Sequence, residues 1–159
     1  MRGEYKYCPV CGTPLKSGVF EAKKRKFCPN CDFIDYKNPL PVALAIAVKN
    51  KRFLLINRGV APRKGSWAPP SGFIELGETA EEACLRELQE ETGASGRIVK
   101  LVGVVRQEDK EVYGDMLVVE YLVEVGDEEL APGDEVENAK FFDVTDLPDY
   151  YLAFFSRII

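Results

Sequence analysis

The stretch from Gly72 to Ala94 constrains this chain more than any other. From Thr79 to Thr92 it holds no Gly and no Pro and is dominated by Ala, Leu, Arg, Gln and Glu, a composition that favours a helix. Gly77 lies ahead of the segment and Gly93 behind it, and a glycine in the second position suits a left-handed helix stop. Thr79 and Glu82 have the spacing of a capping box. In such a helix Glu87, Glu90 and Glu91 stand at i, i+3 and i+4 and project as neighbours. Cys84, Leu85 and Leu88 occupy the adjoining face, which predicts packing against the rest of the fold. Arg86 sits beside Glu87 and four residues before Glu90, placed to hold a carboxylate in one rotamer. Three gathered carboxylates repel one another unless a cation lies between them. A hard divalent cation such as Mg²⁺ takes oxygen ligands and keeps waters that a phosphate can replace. From charge count alone, a solvated acidic helix face is the alternative.

The second constraint is at the N-terminus. Cys8-Pro-Val-Cys11-Gly12 is followed by Cys28-Pro-Asn-Cys31. Two such knuckles at this separation fit a tetrahedral site in which Cys8, Cys11, Cys28 and Cys31 hold a structural Zn²⁺. A redox pair or two disulfides are the alternatives, but redox knuckles come singly and disulfides need an oxidising compartment, of which the sequence carries no sign. A segment this short cannot bury a core of its own, so metal would supply its stability. Composition narrows the chemistry further. The chain of 159 residues has no histidine, which removes Ser-His and Cys-His nucleophiles and leaves carboxylates, Lys, Tyr or metal-activated water. Its net charge of −5 argues against a broad basic face for nucleic acid, and no nucleic-acid partner is expected. With no membrane-length apolar run and no signal-peptide pattern, the expectation is a soluble cytoplasmic protein.

Gly72, five residues, Glu78, seven residues, then Arg86-Glu87-Leu88-x-Glu90-Glu91-x-Gly93-Ala94 resembles the complete Nudix box at every fixed position. The resemblance implies an α/β fold, the Nudix α/β/α sandwich with a mixed sheet, here preceded by a small Cys₄ zinc ribbon. It implies hydrolysis of a nucleoside diphosphate linked to another moiety, a small-molecule substrate. Glu87, Glu90 and Glu91 would bind catalytic Mg²⁺ or Mn²⁺, joined by the Gly72 carbonyl, while Arg86 orients the glutamates with Glu78 near its reach. The run Cys31-x-x-x-x-Tyr36-x-Asn38-Pro39 also resembles the junction in ribbon-bearing Nudix proteins. The expected division is therefore 1–36 zinc ribbon, 37–41 linker and 42–159 hydrolase domain. ADP-ribose is the first expected substrate, giving AMP and ribose 5-phosphate; FAD, NADH or another dinucleotide are alternatives. The Ser-Gln-Pro-Trp-Pro-Phe-Pro-x-Ser mark of NADH pyrophosphatases is missing after the box. A Nudix-fold sensor or nucleic-acid-binding regulator that uses the ribbon is the reading from a different class.

The remaining segments supply candidates. Val42–Val48 is apolar throughout and reads as a buried strand, Asn50-Lys51 as a turn, and Arg52–Asn57 as the returning strand. Arg58, Arg63 and Lys64, in a loop running to Gly65, are candidate phosphate contacts or plain surface charge. Trp67 reads as a packing residue. Arg97–Arg106 and Met116–Val125 predict an antiparallel hairpin, on whose second strand Glu120 and Glu124 share a face. Glu120 is a candidate metal ligand or base, with an exposed strand face the favoured reading. Glu135 and Glu137, in an acidic loop over Gly126–Asn138, are candidates of the same kind. Phe141–Val144 predicts a short strand and Tyr150–Ile159 a terminal amphipathic helix, whose Leu152–Phe155 face is a possible homodimer contact. Lys23-Lys24-Arg25-Lys26 reads as a solvated hairpin tip, with a phosphate or nucleic-acid contact as the sharper alternative. Cys84 reads as a buried filler.

Overall fold

The structure is a computed structural model, and it describes residues 4–61, 63–110 and 112–147. The chain divides into two compact units, Met1–Pro39 with Glu108–Asp115, and Leu40–Gln107 with Met116–Ile159.

In the first unit β1 (Lys16–Phe20), β2 (Lys23–Phe27) and β3 (Ile34–Asp35) form an antiparallel sheet in that order. Lys23–Lys26 therefore lies within a strand, and the hairpin tip is Glu21-Ala22, both at positive φ. That is the turn geometry whose twist matches two flanking strands. It corrects the expectation that the basic run is the tip.

The second unit is built on a mixed sheet. Its strands are β4 (Leu40–Lys49), β5 (Arg52–Arg58), β6 (Trp67–Ala68), β7 (Ser71–Phe73), β8 (Gly96–Asp109), β9 (Gly114–Val125) and β10 (Val136–Phe142). The order is β10-β5-β4-β9-β8, with β6 on β5 and β7 on β4. β4 begins at Leu40, so the expected linker over 37–41 gives its last two residues to a strand; proline is tolerated at this position because the first strand residues need no ladder donor. β4 and β5 are joined by Asn50-Lys51, both at positive φ, and pair only next to that turn, at Val48↔Phe53 and Lys49↔Arg52. Beyond it, β7 takes the place beside β4 and β6 that beside β5. β4 runs parallel to β9 over Leu40↔Met116 to Val48↔Glu124. β8 and β9 are neighbours with a four-residue connection, too short for anything but an antiparallel hairpin. β10 starts at Val136, five residues before the expected strand, because it pairs antiparallel along β5 from Val136↔Arg58 to Phe142↔Phe53.

Strand alternation gives the sheet two apolar faces. On one, Ala43, Ala45, Ala47, Leu54, Ile56, Tyr121 and Val123 pack against Ala83, Cys84 and Leu88 of the helix α1 (Ala80–Thr92). On the other, Ile46, Phe53, Leu55 and Leu147 are joined by Leu44, Trp67, Val102, Leu122 and Phe142. Trp67 meets Phe142 edge-on at 4.9 Å and packs as expected. Val144–Asp146 is a short 3₁₀ turn instead of strand. The expected helix over Tyr150–Ile159, with its dimer face, lies outside the described residues.

Candidate active site

The helix α1 holds its carboxylates because both ends are fixed. Thr79 is the N-cap: its hydroxyl accepts from the Glu82 N–H at 3.2 Å, and the Thr79 N–H donates to Glu82 Oε2 at 2.8 Å. At the other end Gly93 adopts φ 72° and donates to the Gln89 carbonyl. The following loop completes the end: the Ala131 N–H donates to the Thr92 carbonyl at 2.8 Å and the Gly133 N–H approaches the Glu91 carbonyl at 3.4 Å. A Cβ on Gly133 would lie 2.3 Å from the Glu90 carbonyl oxygen. Only glycine lets this loop approach the last helical turn so closely.

Arg86 organises the acidic face. Its guanidinium donates to both oxygens of Glu78, at 2.6 and 3.0 Å, and to the Phe73 carbonyl at 3.0 Å. The bidentate pair with Glu78 is the strong form of this contact, and it holds that carboxyl down at about 2. Nη1 also donates to Glu87 at 2.7 Å and Glu90 at 3.0 Å. Glu91 is held separately, accepting from the Ser71 N–H at 2.9 Å. Burial pushes the Glu91 carboxyl up to about 8, against the opposing pull of Ser71 and Arg58. Burial also raises Glu87, although Arg86 works the other way. Gly72 has a steric requirement of its own. It pairs with Ala43 on the helix side of the sheet, and a Cβ there would fall 2.1 Å from the Glu87 carboxyl.

Glu87, Glu90 and Glu91 line a cavity of about 180 Å³ with Gly133, Asp134, Glu135 and Val136. Of the 133–136 wall the sequence marks Glu135 as a candidate ligand or base, while Pro132-Gly133 signals only a turn. The other candidates separate. Glu135 lines the cavity, and its carbonyl accepts from the Gly59 N–H at 2.7 Å. Arg58 follows the parity of Leu54 and Ile56, on the helix side, where its charge acts on Glu91. Glu137 belongs to β10, not to a loop, and pairs with Lys64 at 3.2 Å. Arg63, at φ 63°, accepts through its carbonyl from Ser66; neither it nor Lys64 lines this cavity. Glu120 is corrected twice. It is 5% exposed, so the exposed-face reading fails. Its partner across the parallel ladder is Leu44, which packs on the face away from α1, so it does not join the box glutamates. Glu124, by contrast, is exposed and pairs with Arg97 at 2.5 Å.

The first unit carries its own donor set. The Sγ atoms of Cys8, Cys11, Cys28 and Cys31 lie within 4.8 Å of one another, with contacts of 3.4, 3.6 and 3.8 Å. A tetrahedron with Zn–S bonds of about 2.3 Å has edges of about 3.8 Å. The N–H groups of Val10 and Asn30 point at the sulfurs of Cys8 and Cys28, both at 3.4 Å. The set fits a closed Zn²⁺ site. Cys84 is fully buried, its thiol pushed up to about 12, which makes it inert.

A family model described as the NUDIX domain matches residues 38–158. The chain belongs to the Nudix family. A second Nudix model, described as the Nudix N-terminal, matches residues 6–37, the segment of the cysteine knuckles. An ADP-ribose pyrophosphatase from Methanocaldococcus jannaschii is 39% identical over 113 residues, 71% of this chain and 67% of that protein. A NAD-capped RNA hydrolase from Vibrio atlanticus is 27% identical over 94% of this chain and 53% of its own length. One from Deinococcus radiodurans is 30% identical over 91% of this chain and 51% of its own. The chain thus spans about half the length of these hydrolases. A Nudix hydrolase structure from Nitrosomonas europaea superposes with a TM-score of 0.78 at 28% identity, covering 91% of this chain and 81% of that one. The chain is a Nudix hydrolase with a pyrophosphatase among its relatives.

Proposed function

We propose that this Nudix hydrolase cleaves the diphosphate bond of ADP-ribose, giving AMP and ribose 5-phosphate. The observation that carries the reading is the acidic cavity of the second unit, where Glu87, Glu90, Glu91 and Glu135 face one space. The relative sharing 39% identity across the same domain is an ADP-ribose pyrophosphatase, which supports that substrate over others.

The donor set fits hard divalent cations. It is made of carboxylate oxygens, and a carboxyl fills the space a side chain at position 72 would need. Glu87, Glu90 and Glu91 would hold Mg²⁺ or Mn²⁺, with the Gly72 carbonyl as a candidate fourth donor. Such ions neutralise diphosphate oxygens and lower the pKa of bound water. The chain's own residues do the rest. Arg86 keeps Glu87 and Glu90 in fixed rotamers while anchoring the preceding loop through Glu78. Glu135 accepts the proton of the attacking water through a carboxylate oxygen, the task histidine cannot perform in this chain. Arg58, on the same side, offsets the negative charge gathered there. Water adds to one phosphorus, and the bridging oxygen leaves with the other phosphate.

A second reading rests on the NAD-capped RNA hydrolases, whose likeness extends over the cysteine knuckles as well. It keeps the bond type and changes the substrate to a dinucleotide. The test is a release assay on the zinc-loaded chain with Mg²⁺ or Mn²⁺ against ADP-ribose, FAD, NADH, NAD-capped RNA, dinucleoside polyphosphates and nucleoside triphosphates. The highest kcat/KM is expected for ADP-ribose. A higher value for NADH or NAD-capped RNA moves the assignment to the second reading, and no release from any substrate removes both.

A further inference from the structure

The basic run on β2 plays no part in the hydrolase reading, and its surroundings are unlike the rest of the molecule. Residues 1–39 carry eight Lys and Arg against four Asp and Glu, a net charge of +4, which leaves 13 against 22, or −9, for the remaining 120 residues. The whole-chain value of −5 conceals this division. A basic module on an acidic enzyme is the charge asymmetry that accompanies polyanion binding.

The cations converge. Strand parity sends Lys24 and Lys26 to one face of the sheet, with Ser17 opposite Lys26 on β1 and Asp35 opposite it on β3. These residues, with Glu4, Arg25 and Lys37, line a cavity of about 360 Å³. Four cations thus line it with two carboxylates, and Arg25 also pairs with a third, Glu21, at 3.5 Å. One of the two lining carboxylates, Glu4, bridges the ammonium groups of Lys37 at 2.8 Å and Lys26 at 3.2 Å. Those two charges hold its carboxyl down at about 2. The Arg25 Nε is buried and has no hydrogen-bond partner among the described residues. Aromatic rings stand among these charges. Arg25 lies over the ring of Tyr36 at 4.5 Å, and Lys26 donates to the carbonyl of Tyr5 at 2.9 Å. Tyr5, Tyr7 and Tyr36 are all exposed.

We propose that the N-terminal unit binds the phosphate backbone of single-stranded nucleic acid at this cavity, with the Glu4 carboxylate standing where a phosphate joins Lys26 and Lys37. Ammonium and guanidinium groups supply the attraction. Arg25 takes one face of Tyr36, and the exposed rings of Tyr5 and Tyr7 supply faces on which unpaired bases stack, which is why a single strand suits this surface better than a duplex or a lipid headgroup. Because Glu4 competes for the same two lysines, the site carries its own brake.

The test uses the zinc-loaded 159-residue chain without Mg²⁺, so its outcome is independent of hydrolysis. Fluorescence anisotropy with a labelled 12-nucleotide single strand is read between 20 and 200 mM salt. Three neutralised phosphates give a slope of log K against log salt of about −2. Lys24→Ala is expected to weaken binding several-fold and to flatten the slope by about 0.7. Glu4→Gln, which frees two ammonium groups, is expected to tighten binding at least three-fold, with zinc content showing that the variant is folded. Absence of binding at 20 mM salt overturns the proposal. So does a Glu4→Gln variant that binds no more tightly, and so does a chain that binds phosphatidylserine vesicles but not the oligonucleotide.

Discussion

The four thiols of the N-terminal unit and the box carboxylates are donor sets of opposite readiness. Among the described residues, the cysteine sulfurs are the only His, Cys, Asp or Glu ligand atoms gathered closely enough to share one ion. Two of them already receive backbone N–H groups. The box carboxylates are held apart. Arg86 takes Glu87 and Glu90, and the Ser71 N–H takes Glu91. A closed sulfur site serves the fold and has no position left for chemistry. In the box, an arginine does for the glutamates what a cation would do, so the scaffold does not depend on metal to gather its ligands. The cavity wall over 133–136 leaves one side open for phosphate and water.

The sharpest way to break this comparison is to remove the zinc. Structural zinc of this kind contributes about 10 kcal/mol or more, against a sheet of five-, five- and two-residue strands. Cys28→Ser, or a strong chelator, is expected to abolish ordered structure over 8–35. Amide NMR should show the β1–β2 signals collapse while those of α1 keep their dispersion. If β1–β2 stays ordered without metal, the cysteines are not the staple.

At the box, Glu90→Gln tests the opposite behaviour. The Glu90 side chain is 59% exposed, so stability should move by no more than about 0.5 kcal/mol. Turnover of ADP-ribose with saturating Mg²⁺ should fall about 10³-fold, or about 4 kcal/mol. Near-normal kcat would show that these carboxylates are a solvated helix face after all.

Much of this contrast is legible in the residue order, because it rests on local rules. The cap at Thr79, the stop at Gly93 and the i, i+3, i+4 carboxylates are all set within one helix, and the knuckles within four residues each. What escaped depends on pairing between distant strands. Glu120 has a face only once β9 is known to lie parallel to β4 with Leu44 opposite. β10 begins at Val136 only because β5 offers it an edge, which takes Glu137 out of its expected loop. Gly133 reads as a turn residue until the Glu90 carbonyl is seen beneath it. Lys23–Lys26 reads as a tip because lysine-rich runs are common at tips, whereas the turn itself falls on Glu21-Ala22.

Glu91 gives the comparison a pH dependence. Its folded pKa is about 8, above the ordinary 4.5, with burial the largest cause. Between those values the metal-free folded state keeps a proton that the unfolded state has lost. Stability is therefore highest below pH 4.5 as far as this group is concerned, and it falls as pH rises towards 8, by on the order of 5 kcal/mol. Cations need the carboxylate, so Mg²⁺ should bind more tightly across the same window and release a proton. Titration calorimetry in buffers of different ionisation enthalpy measures that release at pH 7. No release, or metal-free stability that rises from pH 5 to 8, would contradict the burial argument.

The smallest effect discriminates the two donor sets most cleanly. Thr79→Ala removes the hydroxyl that accepts from Glu82 and leaves one helix N–H without its cap, a loss of about 1 kcal/mol. If Arg86 and the helix place the glutamates before any cation arrives, that loss must be the same with and without Mg²⁺, and kcat must be unchanged, since a penalty of this size leaves nearly every molecule folded. If the cation instead pulls the helix into place, the loss will shrink as Mg²⁺ is added, because metal binding would then supply part of the order the cap provides. Thermal unfolding of Thr79→Ala at zero and 10 mM Mg²⁺ separates the two. An Mg²⁺-independent shift in Tm keeps the box a site preformed by arginine and helix, in contrast to a ribbon that has no fold apart from its zinc.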